Sequence, residues 1–323
     1  MNRLLPLVFA GFLASPAFAA PDLDATKLKL MSANVVVIDA EAGTSLYAKA
    51  ADEVTPIASL TKLMTAMVVL DAKQPMDEQL EVDMDDFDYL KGSRSRLRMG
   101  VMLTREEMLR LALMSSENRA ASSLGRHYPG GQLAFVAAMN EKARALRMTN
   151  THYDDATGLS PKNVSTANDL AKLVRAAADY PQIRDFSTTP ARMVAVQSTG
   201  QTLGFNNSNS LVKSSAWDIQ LQKTGYIREA GRCVVMLATI ASKPMVIVLL
   251  DSIGTFTRVA DAQRVKHWLE TGESLPATMF RQVAQRSQAK AATTAKAPAK
   301  ASAKATTGKR VTGTLAANRS PRG

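Results

Sequence analysis

Pro56-Ile57-Ala58-Ser59-Leu60-Thr61-Lys62-Leu63-Met64-Thr65-Ala66 is the stretch on which the reading of this chain turns. Ile57, Leu60, Leu63, Met64, Met67 and Val68, with interleaved alanines and threonines, fit a helix buried on most sides. Pro56 marks its approach, which puts Ser59 in or near the first turn. Lys62 follows three residues later, and on a helix that spacing places both side chains on one face. A serine hydroxyl is a poor nucleophile until a base takes its proton, and an amine is then within reach. An ordinary lysine is protonated near neutrality, so this use requires burial or a nearby like charge to lower its pKa.

Two further segments can complete such a site. Ser116-Glu117-Asn118 falls where a helical pattern over Arg105 to Met114 ends and another, about Arg119 to Tyr128, begins. From that loop Ser116 can relay a proton to a departing amine, and Asn118 can hydrogen-bond a substrate amide and the lysine. Lys223-Thr224-Gly225 ends a strand pattern that starts at Asp218. Its charge and hydroxyl suit a carboxylate beside the cleaved bond, and Lys223 is a candidate for the like charge that lowers Lys62. Gly225 lets backbone and substrate approach closely. The N–H groups of Ser59 and Tyr226 are the candidate donors to an oxyanion.

Each of these short motifs alone arises by chance, as a helix cap, a solvated face or a strand end. Their conjunction is informative: 57 residues separate Ser59 from Ser116 and 105 separate Asn118 from Lys223, each in a fitting element.

Outside the motifs, Ala33 to Ile38 and Thr44 to Tyr47 read as a β-hairpin around Asp39-Ala40-Glu41-Ala42-Gly43. The middle is mostly helical. Gln132 to Leu146 is one such helix, and Thr166-Ala167-Asn168-Asp169 resembles a capping box opening another to about Ala178. Strand character returns at Arg232 to Ile240 and Met245 to Asp251 around a turn at Ala241-Ser242-Lys243-Pro244, and a helix over Arg258 to Glu270 closes the fold. Strands at both ends predict an α+β architecture: one antiparallel sheet flanked by helices, with a helical lobe inserted.

The ends differ from the body. Arg3, the apolar run Leu4 to Leu13 and Ala17-Phe18-Ala19 predict a signal peptide over 1–19, cleaved after Ala19, with no transmembrane anchor left. A catalytic domain is expected over 20–276. Of the 40 basic residues ten lie between Arg281 and Gly323, where there is no acidic one; setting these and Arg3 aside leaves 29 basic against 29 acidic. The net charge of +11 therefore belongs to a Lys/Ala-rich tail, 277–323, whose composition predicts disorder and leaves two readings open, a plain solvated tail or one attracted to anionic envelope polymers. With no aromatic residue after Phe280 to stack on bases, the tail does not read as nucleic-acid binding. Cys233, the single cysteine, reads as a small buried hydrophobe, and His127, His152 and His267 show no metal-ligand spacing.

The trio of motifs, with Ser-Asp-Asn as its usual middle member, marks penicillin-binding proteins and class A β-lactamases. Together with Leu113-Met114-Ser115-Ser116-Glu117-Asn118-Arg119-Ala120 and Asp155-Ala156-Thr157-Gly158-Leu159, the chain closely resembles the low-molecular-mass penicillin-binding proteins over nearly all of residues 30 to 272. The resemblance implies the β-lactamase/transpeptidase-like fold, Ser59 as acyl-ester nucleophile, Lys62 as proton acceptor, Ser116 as second active serine and Lys223 as a substrate contact, beside the substrate-binding Asn118, Thr224, Gly225 and Tyr226 read from the residues above. It implies no metal or other cofactor. Peptidoglycan peptide stems are the implied substrate, β-lactams the covalent ligands and the periplasm the compartment. Within the family the chain looks most like the endopeptidases that cut D-Ala to meso-diaminopimelate cross-links. The alternatives are a carboxypeptidase trimming pentapeptide stems, or a non-catalytic wall-binding module. The related carboxypeptidases usually add a β-rich second domain, whereas here the chain passes into its Lys/Ala tail soon after Gly272. A class A β-lactamase needs a glutamate after the second motif to activate water, and none occurs between Lys142 and Gly225.

Overall fold

Val35-Val36-Val37 lies at the heart of the molecule, and all three valines are fully buried. A computed structural model describes residues 23–196 and 200–275. The expected signal peptide (1–19) and basic tail (277–323) lie outside these residues. Strand β1 (Ser32–Asp39) pairs on one side with β2 (Ser45–Lys49), giving the expected hairpin. Its other side pairs with β11 (Lys243–Ser252) from the far end of the chain, followed by β10 (Gly231–Ile240) and β9 (Asp218–Ile227). The sheet order is β2-β1-β11-β10-β9, antiparallel throughout.

Helices cover both faces of this sheet, which is why its strands read as unbroken apolar runs rather than alternating ones. Val35, Val37, Ile247 and Leu249 pack with Val265 and Trp268 of a C-terminal helix (Thr257–Thr271), while Val36, Val248 and Leu250 belong to the larger core shared with the lobe. That lobe, inserted between β2 and β9, holds α1 (Thr61–Asp71), α2 (Arg105–Met114), α3 (Asn118–Arg126), α4 (Gly131–Ala145), α5 (Ala167–Ala177) and α6 (Pro181–Thr188), so the C-terminal helix is α7. Thr61 to Val69 of α1 are all buried, as its apolar surround predicts. Among the described residues no helix is long and apolar enough to cross a membrane.

Several details depart from the sequence reading. The turn between the last two strands is only Ala241-Ser242, both with positive φ (50° and 62°), as a tight two-residue hairpin requires. Lys243 and Pro244 already belong to β11, whose first positions tolerate a proline. The Thr166 hydroxyl does cap α5 by accepting from Asp169 N at 3.1 Å. The Asp169 carboxylate stays buried but turns away from the cap, accepting from Asn150 N and the Thr151 hydroxyl, so only half of the box forms. Seven helices and strands among the described residues were not anticipated, five of them in the lobe's outer parts. These five are α6, the small pair β4 (Gln79–Glu81) and β5 (Met102–Thr104), and the hairpin β7 (Ala191–Val196) and β8 (Gln201–Asn206); the other two are β3 (Thr55–Pro56) and β6 (Val164–Ser165). The short β3 pairs with β6 and fixes the entry to α1.

Candidate active site

Ser59 sits in a 3-10 turn, Ala58–Leu60, that runs directly into α1. Ala58 has φ +49°, a left-handed conformation that costs a residue with a Cβ about 1 kcal/mol or more and kinks the chain just before the serine. Two glycines allow that kink to be packed. A Cβ on Gly225 of β9 would lie 3.1 Å from Ser59 N, and one on Gly158 would fall 2.0 Å from Ala58 O. Ser59 is thus nearly enclosed, 9% exposed, with backbone pressed on it from two sides.

Lys62, one turn on, is fully buried. Its Nζ donates to Ser59 Oγ (2.9 Å), Asn118 Oδ1 (2.7 Å) and Thr157 O (2.6 Å). Burial brings its pKa down from 10.5 to about 7, although the carboxylates of Asp155, Glu117 and Asp88 pull the other way. Burial, rather than Lys223, is therefore the main cause of the lowered pKa. The like-charge effect is seen in the opposite direction. Lys223 Nζ is also fully buried and held well below 10.5, first by burial, then by Lys62 and Arg258.

Ser116 lies in the link between α2 and α3 with φ +62°, again left-handed. Its hydroxyl accepts from Lys223 Nζ at 2.8 Å. Asn118 is the first residue of α3 rather than part of the loop, with Glu117 as N-cap. Its Nδ2 donates to Ser93 Oγ at 2.8 Å, which sets the amide so that its oxygen faces Lys62. Thr224 Oγ1 donates to Ser208 Oγ at 2.7 Å. β9 is the edge strand of the sheet, as an oxyanion donor from Tyr226 requires, and the Tyr226 side chain points outward, 57% exposed. The structure thus brings together Ser59, Lys62, Ser116, Asn118, Lys223, Thr224 and Gly225. Cys233 is buried, and its thiol pKa is pushed up to about 12 by that burial, far from a nucleophile's range.

Sequence reasoning missed the supports of this cluster. Thr157 O is a backbone acceptor with no residue signature. It is presented by a loop folded around the Asp155 carboxylate, which accepts from Thr157 N, Gly158 N and Ser160 N. Ser93, Ser208 and Arg258 come from distant segments; Arg258 donates to Gly225 O and Cys233 O, bracing β9 where it meets the serine. A cleft of about 530 Å³ opens in front of Ser59, bounded by Asn118, Leu159, Tyr226 and Arg228. Across its rim Lys91 pairs with Glu229 at 2.6 Å; the pair faces solvent, so it marks the cleft's edge rather than holding the fold together.

A buried serine–lysine pair, a second serine–lysine pair and an edge strand beside them define a serine acyl-transfer enzyme of the β-lactamase/transpeptidase-like fold. Residues 21–254 match the peptidase S11 family, described as D-alanyl-D-alanine carboxypeptidase, and the chain belongs to that family. It is 49% identical over 278 residues to the D-alanyl-D-alanine endopeptidase of Pseudomonas aeruginosa, covering 84% of this chain and 90% of that one. It is 48% identical over 252 residues to the D-alanyl-D-alanine endopeptidase of Escherichia coli, covering 78% and 81%. Among solved structures, the Streptomyces K15 DD-transpeptidase superposes with a TM-score of 0.70 at 29% identity, covering 75% of this chain and 98% of that one. Penicillin-binding protein D2 of Listeria monocytogenes, in an ampicillin-bound form, gives 0.65 at 28% identity, covering 75% and 98%.

Proposed function

We propose that this chain is a serine DD-endopeptidase that hydrolyses D-Ala to meso-diaminopimelate cross-links of peptidoglycan through an acyl-enzyme on Ser59. The observation that carries the chemistry is Lys62 Nζ, fully buried, held near pKa 7 and 2.9 Å from Ser59 Oγ. Endopeptidases at 49% and 48% identity support the choice of bond. Neutral Lys62 takes the Ser59 proton as Oγ adds to the D-Ala carbonyl, and the N–H groups of Ser59 and Tyr226 receive the oxyanion. The nearby Ser116–Lys223 pair passes a proton to the leaving amine. Asn118 holds the amide of the acyl part, and Thr224 with Lys223 holds the carboxylate of the leaving residue. Water then releases the acyl group from Ser59.

Purified muropeptides test the choice of bond. Cross-linked dimers should be converted to monomers, read by mass, while monomeric pentapeptide is cut at most slowly. Loss of D-Ala from pentapeptide with dimers untouched would make the chain a carboxypeptidase instead.

The same cleft should take β-lactams as covalent ligands. With no glutamate between Lys142 and Gly225 to activate water, a penicilloyl group should persist on Ser59 through hours of incubation. Rapid hydrolytic turnover of a labelled penicillin would refute this. We further propose export to the periplasm by a signal peptide over residues 1–19. The mass spectrum that locates the adduct then reads a mature N-terminus at Ala20, and an intact Met1 would exclude cleavage.

A further inference from the structure

A second cavity, also of about 530 Å³, lies beside the Ser116 turn, lined by Arg94, Ser95, Arg96, Glu117, Phe205 and Asn206 among others. One loop walls both cavities: residues 90, 91 and 93 face the first and 94 to 96 the second. The junction of α2 and α3 is shared in the same way, with Asn118, the first residue of α3, in the first cavity and Ser115 and Glu117 of the turn in the second. We infer that this second cavity receives the amine-donor stem of the cross-link, with Arg94 and Arg96 binding carboxylates that stem carries. The inference rests on the endopeptidase reading of Ser59 and deepens it.

The direction of the substrate follows from the clamp. If the leaving residue sets its carboxylate on Thr224, it also approaches Ser208, which accepts the Thr224 hydroxyl at 2.7 Å. Ser208 lies two residues beyond the end of β8, whose last residues, Phe205 and Asn206, line the second cavity. The acyl part runs the other way, past Tyr226 and Leu159 in the first cavity. A D-alanine leaving group ends at its carboxylate and has nothing to place beyond it. A diaminopimelate leaving residue continues through its side chain into a whole peptide stem with further carboxylates, so only a cross-linked substrate reaches the second cavity.

Its chemistry suits such a stem. Leu97 is fully buried, and Arg119 Nη1 donates to its carbonyl at 2.6 Å, which pins the loop while Arg94 and Arg96 face outward. Arg96 lies over the Phe205 ring, 5.6 Å from its centre, so its guanidinium is positioned at the cavity wall. Among the described residues neither Arg94 nor Arg96 has a carboxylate within ion-pair distance. The one acid lining the cavity, Glu117, is buried, accepts from Ser95, and is pushed by burial toward its neutral form. Arginine recognises carboxylates with two parallel hydrogen bonds, and two unpaired guanidiniums in one cavity make an anion site.

The test compares cross-linked dimer with tetrapeptide monomer on two proteins. In Ser59→Ala, which cannot turn over, the dimer should bind about tenfold tighter than the monomer, and adding Arg94→Ala with Arg96→Ala should erase that margin. In the active enzyme the double arginine variant should lose about tenfold in kcat/KM on dimer, mainly through KM. Its acylation by penicillin, which does not extend into the second cavity, should stay within about twofold. Equal dimer affinity with and without the arginines overturns the inference, as does a parallel fall in penicillin acylation, which would place the loop's effect in the catalytic turn. If the wild type binds dimers through the arginines yet cleaves none, the subsite stands and the endopeptidase reading fails.

Discussion

Lys62→Met is expected to slow acylation of Ser59 by penicillin at least about a thousandfold, the scale of removing a general base that no other group replaces. Lys62 Nζ is within hydrogen-bond reach of Ser59 Oγ at 2.9 Å, whereas Lys223 Nζ is engaged by Ser116 Oγ and Thr224 O. In the wild type the acylation rate should rise with pH through about 7, since below that value Lys62 is protonated and cannot accept. The methionine variant should lose that limb. A fall of less than about tenfold, or an unchanged limb, would move the base to another group.

The same lysine ties function to stability, with a sign that can be checked. Unfolded, its amine has the ordinary pKa of 10.5; folded, about 7. Between these values the unfolded chain binds one more proton, so the folded state gains stability as pH rises from 7 to 10.5. Each unit is worth about 1.4 kcal/mol, so burying this lysine costs on the order of 5 kcal/mol at pH 7 or below, where its amine is charged in both states. Methionine removes that cost but orphans Asn118 Oδ1 and Thr157 O, at about 1 to 3 kcal/mol each. The variant should therefore remain folded, with a shallower rise of the urea midpoint between pH 7 and 9 and the Lys223 contribution left behind.

What the sequence disclosed and what it hid divide along the range of the interactions. Ser59 and Lys62 are three residues apart, and helix geometry alone puts them together. The valine run of β1 and the apolar runs of β10 and β11 are long enough to announce strands buried on both faces. By contrast, α6 has eight residues with only Ile183, Phe186 and Ser187 buried, and β7 buries only Val194 and Val196, so each shows its spacing once and never repeats it. The supports of the site are tertiary. Lys62 meets Thr157 O across 95 positions and Arg258 meets Gly225 O across 33, and a carbonyl looks the same on every residue. Phe205 and Asn206 are unreadable for the same reason: what makes them part of a cavity is a hairpin that local patterning does not signal.

Gly158→Ala is expected to destabilise the chain by about 3 kcal/mol or more and to reduce acylation at least about a hundredfold. Gly158 has φ +82°, and a Cβ there would lie 2.0 Å from Ala58 O, 2.3 Å from Ala58 C and 2.8 Å from Ser59 N. All three contacts are backbone, so no rotamer change can relieve them. The left-handed conformation costs alanine about 1 kcal/mol, and forcing a methyl into a packed site adds about 1 to 3 kcal/mol. Either the Ala58–Ser59 turn or the loop carrying Thr157 O must move, and both hold the reacting pair: one positions Ser59 Oγ, the other accepts from Lys62. A displacement near 1 Å costs about a hundredfold in rate even where every catalytic group remains. Gly100→Ala separates clash from backbone preference, since Gly100 has φ +76° but nothing within 4 Å of its added Cβ. That control should lose only about 1 kcal/mol and acylate normally. Near-wild-type acylation in Gly158→Ala would mean that the serine turn is not set by the backbone packed against it.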